Sequence, residues 1–308
     1  MSSPADADPR SSEDGPQLIC AGEAVIDLIP EGDAYRPVAG GASFNAARAA
    51  ARLGAPTGFM GALSRDPLGA RLVQAAAADG VDLRHAVRTD KPTPLSLADL
   101  TGGDASYTIY HRGTAGEALT PTRLGALPVT ARAVLIGGIS LVHAPAAETL
   151  ERLAYNRPAG VTLCLDVNIR PALIDDPGPY RARLLRLLAV ADIVKISDED
   201  QAWLDVASGS VAPQALLLRS HGADGATARQ AALTVRLPAP RVRVRDTVGA
   251  GDTFIAAWLA HGLRSGSFRP DTEDGLRQAL SYALCAASLS VTRLGADPPT
   301  HEQVLCAL

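Results

Sequence analysis

The 308-residue chain reads as an α/β fold, a mostly parallel central sheet with helices on both faces plus a small β-sheet lid. Three observations predict this. Residues 133–139, 161–167, 192–196 and 215–218 are short, nearly continuous apolar runs, the pattern of strands buried on both faces. Helix-length segments separate them, so the strands run parallel with crossovers. Residues 93–111 instead alternate around Thr101-Gly102-Gly103-Asp104, which signals a hairpin set apart from the body.

Taken in order, residues 1–17 are polar and acidic and read as a disordered tail rather than a signal peptide. Residues 18–29 (LICAGEAVIDLI) form one apolar strand, interrupted by Gly22, Glu23 and Asp27. A helix over 41–53 begins at Ser43 as a candidate cap and ends at Gly54. A strand at 57–63 and a helix at 68–79, stopped by Gly80, follow. The lid takes about 30–39 and 93–112. Helices are expected over 145–156, 180–190, 197–207, 249–264 and 274–291. No internal repeat or long linker divides residues 18–308, which form one domain.

Composition narrows the function. The net charge is −4, so no basic field points to nucleic acid. No apolar run approaches the length of a membrane span. Four widely spaced cysteines and no His–Cys cluster argue against structural zinc and fit a reduced, cytoplasmic chain. The six histidines show no arranged partners and carry no function here. Only Lys91 and Lys195 are lysines among 29 basic residues, so a lysine is informative where most arginines are background.

Residues 246–254 read Asp-Thr-Val-Gly-Ala-Gly-Asp-Thr-Phe, with an apolar helical run behind them. A Gly-Ala-Gly turn opening a helix leaves backbone N–H groups unobstructed, which makes an anion site. A carboxylate there, Asp252, is unfavourable beside a phosphate unless it accepts a proton from an attacking hydroxyl. The Asp-Val-Asn-Ile-Arg-Pro stretch at 166–171 follows a buried-type strand, where open α/β sheets bind ligands. Asp27 is a charge at the end of an apolar strand, and such charges need partners.

The nine-residue string resembles the second signature of the PfkB, or ribokinase-like, family of carbohydrate kinases. Gly40-Gly41-Ala42-Ser43-Phe44-Asn45-Ala46 resembles its first signature. The resemblance extends from about 18 to 300 and is nearest to the fructokinase branch. It implies a ribokinase-like fold and an ATP-dependent sugar kinase that moves the γ-phosphate to a sugar hydroxyl, fructose before 2-keto-3-deoxygluconate, ribose or a nucleoside. A catalytically silent, sugar-sensing member is the alternative of another class.

By the same resemblance, Asp252 is the general base, Gly249, Ala250 and Gly251 are the anion hole, and Arg170 clamps phosphate. Asp27, Gly40, Gly41, Asn45 and Asn168 hold the sugar. Lys195, Ser220, Gly222 and Gly225 lie along ATP. Asp200 orders the water shell of Mg²⁺, and Asp246 helps bind a monovalent cation such as K⁺. A lid edge offers a homodimer contact. Two departures stand out: Trp258 replaces a smaller apolar residue, and Gly116 stands where fructokinases often carry Asp.

Overall fold

The computed structural model describes residues 15–99, 106–205 and 211–308. Its main sheet has nine strands: β1 (Leu18–Gly22), β4 (Thr57–Ser64), β5 (Val87–Thr89), β8 (Ala133–Gly137), β9 (Thr162–Asp166), β10 (Ile193–Ser197), β11 (Leu216–Ser220), β12 (Ala226–Gln230) and β13 (Leu233–Leu237). Their order is β13-β12-β11-β10-β9-β8-β1-β4-β5. Every neighbouring pair from β11 to β5 is parallel, and β12 runs antiparallel to both of its neighbours.

Side chains alternate across this sheet, as the pleat requires. Leu18 and Cys20 pack in a core with α1 (Ala42–Arg52), α7 (Ala250–Ser265) and α8 (Glu273–Ser290). Ile19 and Ala21 face the opposite core, with α4 (Ala146–Tyr155) and α5 (Pro177–Leu188). Both faces are therefore covered, which is why these strands are apolar throughout. Trp258 is accommodated without strain on its polar atom. It is buried in α7 and its indole N–H donates to the Phe268 carbonyl at 3.0 Å.

The lid is a separate four-stranded sheet, ordered β3-β2-β6-β7, from β2 (Val25–Glu31), β3 (Ala34–Gly40), β6 (Leu95–Asp99) and β7 (Ser106–Tyr110). The β6–β7 pairing is antiparallel, as a hairpin requires; its expected turn at 101–104 lies outside the described residues.

Several expectations change. The single strand over 18–29 is two strands in two sheets, because the chain breaks at Glu23-Ala24 and β2 leaves for the lid. Ser43 does not cap α1. The cap position is Gly41, two residues earlier, and the Ser43 hydroxyl donates instead to the Ala21 carbonyl at 3.2 Å. The Glu23 carboxylate supplies the missing cap from the break between β1 and β2, accepting the Ala42 N–H at 2.9 Å. Residues 15–17 join the body rather than the tail: Gln17 N–H donates to Pro56, and Thr130 donates to Pro16. Residues 1–14 lie outside the described residues.

Candidate active site

The carboxyl ends of β9 and β10, the start of α1 and the first turn of α7 come together at one edge of the main sheet. Gly249 caps α7 at φ 76°, a left-handed conformation that suits glycine. The Thr247 carbonyl accepts the Ala250 N–H at 3.2 Å, and the Gly249 carbonyl accepts the Thr253 N–H at 2.8 Å. Among the described residues, the N–H groups of Gly249, Gly251 and Asp252 have no acceptor. The donor set therefore differs from the expected 249–251. Ala250 closes the turn, and the N–H of Asp252 takes its place.

Asp252 is buried at the head of α7. Burial raises its carboxyl pKa, while the Asn45 hydrogen bond and the fields of Lys195 and Arg170 pull the other way. The Asn45 amide donates to its Oδ2 at 3.0 Å across 207 residues of sequence. Asn45, expected on the sugar, thus holds the carboxylate. Its own Oδ1 is buried with no hydrogen-bond partner, and such an atom is costly unless something binds it.

Lys195 on β10 sits opposite Asp166 on β9 in the parallel register. Its Nζ lies 2.9 Å from Asp166 Oδ1, and both side chains are buried. Asp166 is pushed up to about 6, chiefly by burial against the pull of Lys195, with the Asp252 and Asp200 fields adding to the rise. Burial lowers the Lys195 ammonium pKa, but Asp166 and Asp200 outweigh it and the net shift is upward, so the ammonium stays charged.

The residues expected on the sugar lie where the lid meets the body. Asp27 on β2 pairs in register with Ser96 on β6, whose hydroxyl donates to it. Burial pushes Asp27 up to about 6, and the Asp252 and Asp246 charges add to this against the Ser96 bond. A Cβ at Gly40 would overlap the Asp27 carboxylate, so glycine lets that carboxylate keep its position. Gly41, at φ 99°, turns the chain from β3 into α1. Glu23 was not assigned a role from sequence, although a charge inside an apolar run was the available signal. It also accepts from Ser140, and burial raises its pKa.

The loop after β9 is held from below. Asn168 is buried at φ 40°, a conformation asparagine tolerates better than most residues. Asp200 accepts the next amide, Ile169 N–H, at 2.7 Å on Oδ1 and the Ser197 N–H at 3.0 Å on Oδ2. With the Ser197 hydroxyl it forms a capping box on α6 (Asp198–Leu204). Arg170 is exposed and donates to its neighbour's carbonyl at 3.0 Å.

Ser220 ends β11, followed by exposed Gly222 and by Gly225, which packs against the Leu237 carbonyl. His221 is not without partners. Its Nδ1 lies 3.0 Å from Asp198 and its Nε2 2.9 Å from Thr227 Oγ1, so it ties this loop to α6 and β12. Tyr282 bonds His301 at 2.8 Å, and His111 stacks on His143 at 4.3 Å. Asp246 accepts from Val248 at 3.0 Å and from Gly295 at 2.7 Å, joining the turn before α7 to the C-terminal stretch.

Comparison with known proteins identifies the family. The model for the pfkB family carbohydrate kinases matches residues 16–303. A fructokinase from Rhizobium leguminosarum bv. trifolii is 38% identical over 256 residues, covering 79% of this chain and 78% of that protein. A Klebsiella pneumoniae fructokinase is 34% identical over 294 residues, covering 89% and 93%. Among solved structures, ATP-bound fructokinase from Xylella fastidiosa has a TM-score of 0.84 at 27% identity, covering 94% and 97%. Aminoimidazole riboside kinase from Salmonella enterica, complexed with aminoimidazole riboside and an ATP analog, has a TM-score of 0.83 at 28% identity, covering 94% and 99%. On the match over residues 16–303 and these fructokinase relatives, the chain belongs to the pfkB family of carbohydrate kinases and is a sugar phosphotransferase.

Proposed function

We propose that the chain transfers the γ-phosphate of ATP to a hydroxyl of fructose. The observation that carries the chemistry is the buried Asp252, held by Asn45 at the head of α7 beside N–H groups that lack acceptors. Asp252 takes the proton of the attacking hydroxyl. The sugar oxygen forms its bond to the γ-phosphorus as the bond to ADP breaks, and the N–H groups of Gly249, Gly251 and Asp252 receive the transferred oxygens. Asp27 accepts two sugar hydroxyls beside Gly40 and Gly41. The orphaned Asn45 Oδ1 offers a further acceptor, and Asn168 lines the same edge. Arg170, exposed at the rim, reaches toward phosphate.

ATP lies along Ser220, Gly222 and Gly225, with Lys195 beneath its phosphates. Among the described residues no three His, Cys, Asp or Glu side chains form a metal cluster. Mg²⁺ suits such a site when carried by phosphates and water, with Asp200 ordering that water, and it supplies charge neutralisation. Asp246 and the carbonyls of the two turns it joins fit a monovalent cation such as K⁺. The lid edges β3 and β7, with exposed Tyr35 and Tyr110, offer a homodimer contact. Four free thiols fit a cytoplasmic location.

Fructose is favoured by the named fructokinases among the relatives. A riboside is the second reading. It is favoured by the mostly apolar cavity next to Glu23, where stacked His111 and His143 meet the side-chain-free Gly116. ADP release across fructose, ribose, 2-keto-3-deoxygluconate and nucleosides decides between them. Turnover confined to nucleosides would overturn fructose, and no turnover at all would favour a sensor.

A further inference from the structure

The two ends of α7 carry different chemistry. His261 and Arg264 follow Asp252 by nine and twelve residues, about 14 and 18 Å along a helix. At that far end α7, α8 and α9 (His301–Leu305) line an open groove of about 1070 Å³. Arg264 and His261 face it from α7, Tyr282 from α8 and His301 from α9, and exposed Leu305 and Leu308 add apolar surface.

Positive charge gathers here with little to answer it. The Arg264 guanidinium lies 4.7 Å from the centre of the Tyr282 ring and donates to the Leu53 carbonyl at 2.9 Å. Among the described residues neither Arg264, His261 nor His301 forms an ion pair, with the Leu308 carboxylate or any other. Tyr282 is buried, and its hydroxyl bonds His301 Nδ1 at 2.8 Å. A phenol donates to an imidazole nitrogen more readily than the reverse, which leaves the proton of neutral His301 on Nε2 as an unspent donor. His261 Nδ1 is buried and has no hydrogen-bond partner. Burial, and after it the Arg264 charge, hold both imidazoles below the ordinary histidine range, and the Glu302 field on α9 offsets this only in part at His301. Arg277 on α8 is already paired with Glu273 at 2.6 Å.

The arrangement selects a class of ligand. A planar carboxylate is matched by one guanidinium. Here the donors come from three helices, which suits the tetrahedral oxygens of a phosphate, and the two leucines suit an apolar remainder. We propose that this groove is a second ligand site, which binds a small phosphate monoester with Arg264, His261 and His301 on its oxygens. It goes beyond the phosphotransfer reading and holds whichever sugar is the substrate. The helix whose first turn carries Asp252 carries Arg264 in its last.

Calorimetry at constant ionic strength tests this with phenyl phosphate, benzoate and phenol. Phenyl phosphate is expected to bind wild type with a Kd of about 1 mM or lower, and benzoate and phenol at least about tenfold more weakly. Arg264→Gln keeps a donor for the Leu53 carbonyl but removes the charge. It is expected to weaken phenyl phosphate about ten- to a hundredfold, with kcat measured without the probe near wild type. Unchanged affinity in Arg264→Gln would place the phosphate at the head of α7 instead and overturn the site. So would no binding up to about 10 mM, and benzoate binding as tightly as phenyl phosphate would overturn the phosphate assignment. The imidazole proton resonances of His261 and His301, assigned with His261→Asn and His301→Gln, are expected to move when wild type is titrated. If they stay in place the site is refuted, even should Arg264→Gln fail to fold.

Discussion

The two sides of the active site handle carboxylates differently. Where the lid meets the body, the proposed sugar side, Asp27 and Glu23 are held by hydroxyl and amide donors from Ser96, Ser140 and Ala42. Around the α7 turn, the proposed phosphoryl side, Asp166 and Asp252 share the field of the Lys195 ammonium, and Arg170 adds to it at Asp252. The difference matches the partners. A sugar hydroxyl needs an acceptor, and a carboxylate held only by neutral donors keeps lone pairs to provide one. A phosphate needs positive charge, so any acid placed beside it must be balanced or must receive a proton.

The contrast can be broken first at Asp252. Asp252→Asn is expected to lower kcat about 10³- to 10⁴-fold while ATP binding and melting temperature stay near wild type. Coupled ADP-release kinetics and thermal melting check this, and substantial residual turnover would remove its role as base. Asp27→Ala comes next. Losing two charge-assisted hydrogen bonds is expected to raise the sugar KM roughly 100-fold, with the ATP KM nearly unchanged. Equal effects on both substrates would place Asp27 elsewhere.

The smallest effect is in pH. Asp27 and Asp166 are both pushed up to about 6, so lowering the pH through 6 protonates both. Protonated Asp27 is a poorer acceptor, so kcat/KM for sugar falls by at most about tenfold per pH unit for each group lost. In Asp27→Asn the part of the limb that belongs to Asp27 is absent, and a limb that persists belongs to the other carboxyls that burial raises, Asp166, Asp252 and Glu23. The stability sign is opposite. Both folded-state values lie above the unfolded one, so the folded chain binds protons more readily, and acidification from above 6 toward 4 relieves buried charge. Asp27→Asn is therefore expected to melt higher than wild type at pH 7.5, with the gap narrowing near pH 5.

Much of this was legible before any coordinates. The parallel body, the lid and the turn before α7 follow from apolar runs, alternation and a glycine-rich helix start. What escaped did so for identifiable reasons. The hairpin of β12 and β13 turns at Ala231, at φ 52° with no Gly or Asn to mark it. β5 has three residues, too few to show a period. His221 looked isolated because Asp198 and Thr227 lie on different elements. Asp200 looked like a ligand or a cap from sequence. Its bond from Ser197 N–H completes the cap and its bond from Ile169 N–H positions the 168–170 loop, and neither excludes the water-ordering role proposed above.

The sequence by itself determined the alternation of strands and helices, the placing of glycines at two helix starts and the presence of an acid in the α7 turn. These are local properties, set by side-chain period and backbone freedom over a few residues. Only the tertiary structure decided what those residues face. Asn45 reaches Asp252 across 207 residues, Glu23 caps a helix it does not belong to, and Lys195 lies under Gly251 because β10 ends where α7 begins. Such contacts depend on how the elements pack, which no local pattern encodes.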